Sequence, residues 1–177
     1  MLKIILENYI SWIGRLSEWT GRVASWLTTL LVVLICLDVA LRYVFKEASA
    51  LLPELEWHLF SLIFLIGAAY TLKHDRHVRV DVFYMRFSPR LKATINLIGA
   101  LLFLLPFCLL VIDTSIPYIK ASYVLQEHSA DPGGLPHRYL IKGSIVVGFT
   151  LLLLQGMAMA ASSLLIIIYG EPEKDRY

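Results

Sequence analysis

The stretch GSIVVGFTLLLLQGMAMAASSLLIIIY, residues 143–169, decides the fold. It holds no acidic, basic or histidine side chain, and it exceeds the ~20 apolar residues that a helix needs to cross a hydrocarbon core of ~30 Å. Backbone in lipid must satisfy its own hydrogen bonds, so a run of this kind reads as a transmembrane helix. Three further segments meet or approach the same length, at about 23–45, 54–73 and 91–112. With 58% apolar residues and a mean hydropathy of +0.67 over 177 residues, the chain lies above the soluble range. The expected fold is an all-α integral membrane protein, with four transmembrane helices within 23–170. The connections are too short for an independent soluble domain.

Upstream, MLKIILENYISWIGRLSEWTGR (residues 1–22) lacks the succession of basic, apolar and small residues that marks a cleaved signal. Leu2, Ile5, Leu6, Tyr9, Ile13 and Leu16 recur at helical spacing, with Lys3, Glu7, Ser11, Arg15, Glu18 and Arg22 as a polar stripe. This predicts an amphipathic interfacial helix lying on membrane lipids, with Trp12 and Trp19 at headgroup level. The basic residues divide unevenly between the two sides that four spans define. One side takes eleven: Lys3, Arg15 and Arg22, then Lys73, Arg76, Arg79, Arg86, Arg90 and Lys92, then Lys174 and Arg176. The other takes five: Arg42, Lys46, Lys120, Arg138 and Lys142. By the positive-inside rule both termini, the basic loop of Arg76, Arg79, Arg86 and Arg90, and the tail 171–177 face the cytoplasm.

Charged residues within a span need a reason or a partner. Asp38 and Arg42, four apart, share one face of the first span, where they can pair with each other. Alternatively, one of them is shared with Glu54 and Glu56 at the start of the second span, tethering the two helices, or they belong to an ion path. Pro106 is expected to kink the third span. Gly148, Gly156, Ala160 and Ser163, with Gln155 beside them, give the fourth a small-residue stripe suited to close packing. Cys36 and Cys108 read as packing residues. The five histidines fall at helix ends and in loops, where no pair can hold a haem across a bundle core. Neither a phosphate-binding loop, a nucleophile with its triad, nor a paired-carboxylate metal site is present, so the chain reads as a protein without catalytic, metal or cofactor chemistry.

Four segments carry a resemblance: LDVALRYVF (37–45), PELEWHLFSLIFLIGAAY (53–70), GAAYTLKHDRHVRVDVFY (67–84) and EHSADPGGLPHRYLIKGSIVVGFTLLLLQG (127–156). Together they resemble the small, Q-type (DctQ-like) membrane subunit of tripartite ATP-independent periplasmic (TRAP) transporters, from about Gly21 to about Ala161. The resemblance implies a scaffold subunit beside a large M-type membrane subunit that moves as an elevator, fed by a periplasmic P-type substrate-binding protein. It further implies uptake of organic acids driven by sodium, with the substrate and sodium sites on the large subunit. The residues themselves leave room for a membrane anchor or assembly subunit of another inner-membrane complex. Neither reading involves nucleic acid.

Within that expectation, the loop with Glu127, Asp131, Gly133, Gly134 and Arg138 is the candidate docking surface for the binding protein, together with the short connection Lys46 to Pro53. Its glycines and the flanking Pro132 and Pro136 favour a defined turn.

Overall fold

The computed structural model describes residues 1–47, 49–74 and 87–170. Those residues form four helices that are long and apolar enough to span a membrane, and no strand. The first, α1 (Leu2–Ala40), is prolonged by a π-helical turn at Leu41–Phe45 and closes on Lys46, whose φ of 58° is left-handed. The second is α2 (Leu51–Lys73). The third, α3, covers Pro89–Val124 and the fourth, α4, Tyr139–Tyr169.

Local chemistry sets the ends of these helices. Ser88 caps α3 by accepting the Leu91 N–H at 3.3 Å, with Pro89 at the first helical position, where no N–H is wanted. Gly170 ends α4 at a φ of 73°, its N–H reaching the Ile166 carbonyl at 3.0 Å. Inside α3 the turn Ala100–Leu104 is π-helical and leads directly into Pro106. Pro106 has no N–H for the carbonyl four residues earlier, and widening the turn hands that carbonyl the next donor along. Pro117 also lies inside α3, which runs well past the end expected near residue 112.

The boundary expected at residues 22 and 23 is not a break. α1 is one helix through both segments, because its inward stripe of Ile10, Ile13, Ser17, Thr20 and Ala24 keeps a single helical period. The first half of that stripe packs on α4, where Ile10 and Ile13 cluster with Ala158, Leu154 and Leu165. The second half packs on α2, where the Tyr70 ring occupies the space a side chain at Gly21 would need.

These contacts fix how the helices align. Glu54 and Lys73 mark the two ends of α2, ~28 Å apart at 1.5 Å per residue, close to the thickness of a hydrocarbon core. At the Lys73 end, Ser17 of α1 donates to Gln155 of α4 at 2.8 Å. Beyond that level α1, α3 and α4 continue without α2, and the Lys3 ammonium reaches the Tyr169 ring at 5.1 Å. Among the described residues, the bundle thus has four helices at its Glu54 end and three beyond the level of Lys73.

α2 and α4 touch at Gly148, where an added Cβ would lie 2.9 Å from the Leu65 carbonyl oxygen. Small residues allow such backbone approach in lipid, where burial from water offers little drive. Gly148→Ala is expected to destabilise the bundle by about 1–3 kcal/mol through overpacking, read as a lower thermal midpoint in detergent.

Candidate functional site

The densest polar network lies at the Glu54 end, and Glu54 is its centre. This residue sits in the first turn of α2 with its side chain only 6% exposed. All of its partners come from the loop between α3 and α4. The Ser129 hydroxyl and the Leu135 N–H donate to its two oxygens, and the Arg138 guanidinium donates to Oε1 at 2.9 Å. Arg138 also reaches the Ser129 hydroxyl at 3.3 Å and stacks over the Trp57 ring at 5.9 Å. A first-turn carboxylate is favoured by the helix dipole, and a bordering low dielectric strengthens its hydrogen bonds.

The loop has the shape that its sequence dictates. Asp131, Pro132, Gly133 and Gly134 form a tight turn closed by the Gly134 N–H on the Asp131 carbonyl at 3.0 Å. Proline in the second place and glycine at a φ of 80° in the third are what a type II turn demands. Gly134 is needed for another reason, since a Cβ there would lie 2.8 Å from Glu54 Oε2. Further bonds run from Ser129 N–H to the Leu135 carbonyl at 3.1 Å and from Arg138 N–H to the Glu127 carbonyl at 3.0 Å. Glu127 pairs with Lys142 on α4, whose ammonium also lies 4.0 Å from the centre of the Tyr118 ring. That ammonium holds the Glu127 carboxyl below its ordinary range.

The sequence-predicted residues therefore divide into fastenings and surface. Glu127 and Arg138, expected as free docking charges, are ion-paired within the chain. Asp131 is the exposed one of the three, and it has no charge partner among the described residues. Exposed beside it are Pro132, Gly133, Pro136 and His137, with the His128 and His137 rings 6.3 Å apart. No group of three potential metal ligands occurs among the described residues.

Asp38 and Arg42 pair within α1 at 2.7 Å, with the Arg42 side chain 47% exposed. The proposed tether from α1 to Glu54 and Glu56 does not form. Arg42 is taken by Asp38, and Glu54 by the loop. Residues two apart on a helix point ~200° away from each other, so Glu54 and Glu56 cannot share one partner. Glu56 Oε1 is buried with no hydrogen-bond partner among the described residues. Of the basic loop, Arg76, Arg79 and Arg86 lie outside the described residues, as does the tail 171–177. Arg90 lies in the first turn of α3 with its guanidinium against Gly170, where a cation suits the carboxyl end of α4.

A second network, at the Lys73 end, was not read from the sequence. Lys73 donates to Glu18 Oε1 at 2.8 Å and to the Gly14 carbonyl at 3.1 Å, and the His74 ring meets the same Glu18 oxygen at 2.8 Å. The Tyr9 hydroxyl donates to the Leu154 carbonyl at 3.2 Å. Glu18 belongs to the polar stripe of the first 22 residues, and the packing of α1 on α2 brings it to Lys73. The available signal was the Lys73–His74 pair closing α2, which needs a carboxylate from a neighbouring helix.

Two outcomes follow from this geometry. Glu54→Ala and Arg138→Ala should each lower the thermal midpoint more than Asp131→Ala does, and the double variant should lose less than the sum of the singles. Additive losses in that cycle would mean that the two side chains are not coupled. For Glu127, a folded pKa below the unfolded 4.5 means the pair stabilises above that value and is lost as pH falls through the lower folded pKa. Acid titration followed by proteolysis at the loop should show opening in the wild type that Glu127→Gln shows already at neutral pH.

The family described as "Tripartite ATP-independent periplasmic transporters, DctQ component" matches residues 13–165. A protein of Haemophilus influenzae named as a TRAP transporter small permease protein is 28% identical over 119 residues, 67% of this chain and 71% of its own length. No solved structure matches. The match to the family takes in Glu54 and its partners, Glu18 with Lys73 and His74, the loop between α3 and α4 and all of α2, and the chain belongs to the DctQ component family of the tripartite ATP-independent periplasmic transporters.

Proposed function

We propose that this chain is the fixed scaffold of a sodium-driven, binding-protein-dependent transporter of organic acids in a bacterial inner membrane. On this reading a large M-type subunit carries substrate and sodium, and this chain holds it in place and helps to dock the periplasmic binding protein. The distribution of basic residues favours cytoplasmic termini, with the Glu54 end facing the periplasm.

One observation carries the scaffold reading. Trp12, Trp19 and Trp26, spaced seven apart on α1, are 58%, 63% and 77% exposed in the isolated chain. They extend over ~21 Å of helix, so no single headgroup plane accommodates all three. Arg15 and Arg22 are exposed within the same arc of roughly 80°. Hydrocarbon does not solvate guanidinium groups, whereas tryptophan and arginine are the residues that anchor protein interfaces. A helix of the large subunit laid along this face would meet both needs.

The exposed turn at Asp131 supports the docking role. It is held rigidly by Glu54 at a bundle end, and a preorganised surface binds with less ordering cost.

Reconstituted in liposomes with an inward sodium gradient, the three subunits together should take up substrate and this chain alone should not. Uptake by the isolated chain would falsify the scaffold reading. Trp19→Ala should reduce co-purification of the large subunit. Asp131→Lys should leave co-purification intact and slow binding-protein-dependent uptake, most at low ionic strength.

A further inference from the structure

The outward face of α3 carries one carboxylate that binds nothing in the chain. Among the described residues α3 packs chiefly on α4, so it stands at the edge of the bundle. Leu102, Leu109, Asp113, Ile116 and Lys120 fall within an arc of ~60° on this helix, and all five are exposed. Asp113 has no hydrogen bond or ion pair among the described residues. Lys120 lies two turns further on, ~10 Å along the axis, beyond the reach of a helical pair.

The main chain adds a second acceptor at the same place. Pro117 has no N–H for the carbonyl four residues before it, which is that of Asp113. At Pro106 a π-helical turn relieves the same defect, but from Leu105 to Val124 the helix is regular, so the Asp113 carbonyl is left without its helical donor. Residue 117 lies ~40° around the helix from residue 113, and the gap therefore opens on the exposed face.

Depth decides what can fill it. Asn96 of α3 and Lys73 of α2 line one cavity and so share a level. Asp113 is ~26 Å along α3 from Asn96, and Glu54 is ~28 Å along α2 from Lys73, which puts Asp113 at the hydrocarbon boundary on the Glu54 side. A carboxylate and a carbonyl unmatched there are costly, and together they call for a cation with several N–H donors. A guanidinium has five in one plane and can serve both oxygens. A second copy joined through this face about a two-fold axis would set Asp113 against Asp113, so the cation has to come from a different chain.

We propose that Asp113, with its main-chain carbonyl, receives an arginine side chain from a transmembrane helix of the large subunit laid along this face of α3. The proposal takes its partner from the scaffold reading, and it adds to the tryptophan–arginine face of α1 a second contact that is acidic where the first is basic.

The test co-expresses this chain with the large subunit, purifies through a tag on this chain and measures the large subunit retained. Asp113→Asn should weaken retention about tenfold, as for loss of hydrogen bonds to a charged group, and Asp113→Lys should abolish it. In the isolated chain in detergent, Asp113→Asn should leave the thermal midpoint unchanged or raise it, because no partner within the chain is lost. The photo-crosslinker benzoylphenylalanine in place of Leu109 should join the large subunit. If the wild type retains the large subunit and both Asp113 variants retain it equally, this proposal is overturned and the scaffold reading stands. If the wild type retains none, both fail. A midpoint lowered by Asp113→Asn in the isolated chain would mean that the acceptors serve the chain's own fold, and overturns the proposal. So does a rise in that midpoint with dioleoylphosphatidylethanolamine that Asp113→Asn abolishes without changing retention, since the cation would then be the lipid's.

Discussion

A carboxylate bordering lipid has to be matched by donors, and the match found by Glu54 organises one whole end of this protein. Its partners are a hydroxyl, a backbone N–H and a guanidinium, all from the loop that joins α3 to α4. The loop in turn can reach Glu54 only because Gly134 carries no side chain and the Asp131–Gly134 turn folds the chain back. One residue on α2 thereby holds α3 and α4 in place without any covalent connection to either. Removing a partner would leave a buried charge or an unmet donor, which costs more than the intact pair contributes.

The other end is fastened on the same principle with the charges reversed. There the cation, Lys73, is on α2, and the carboxylate, Glu18, is on α1, with His74 and the Gly14 carbonyl completing the set. α2 is thus pinned at both ends, ~28 Å apart, to different neighbours. Between the pins, Gly148 lets α4 come close to the α2 backbone at Leu65, and Gly21 makes room on α1 for the Tyr70 ring of α2. In lipid, close packing and hydrogen bonds must supply what burial from water supplies in a soluble core.

Membership in the DctQ family makes the chain one component of a multi-subunit transporter, and the placement of its polar groups fits that station. Most of the charged side chains near the ends of α2 are engaged in joining one helix to another. What remains on the outside is a tryptophan–arginine face on α1 and a rigid turn carrying Asp131. Among the described residues, α1, α3 and α4 reach past the end of α2, and α3 carries a π-helical turn ahead of Pro106.

The sequence by itself determined the solvent, the number of spans and the family. Apolar length in lipid translates directly into helix, and 54–73 and 143–169 lie within a few residues of the observed α2 and α4. The i, i+4 pairing of Asp38 with Arg42 was equally legible, because it depends only on helix geometry. The turn at residues 131–134 was foreseeable from its proline and glycines. The ends of α1 and α3 were not, since polar residues inside a continuing helix look the same as polar residues beyond its end. Partners separated by 75 to 84 positions, as Glu54 is from Ser129 and Arg138, leave no periodic trace in the chain. Only the tertiary structure could decide that Glu54 turns toward the loop instead of toward Arg42, that Glu18 faces inward to Lys73, and that Glu127 and Arg138 are fastenings. The physical reason is that a charge is fixed by the nearest complementary charge in space, and the packing of helices sets which one that is.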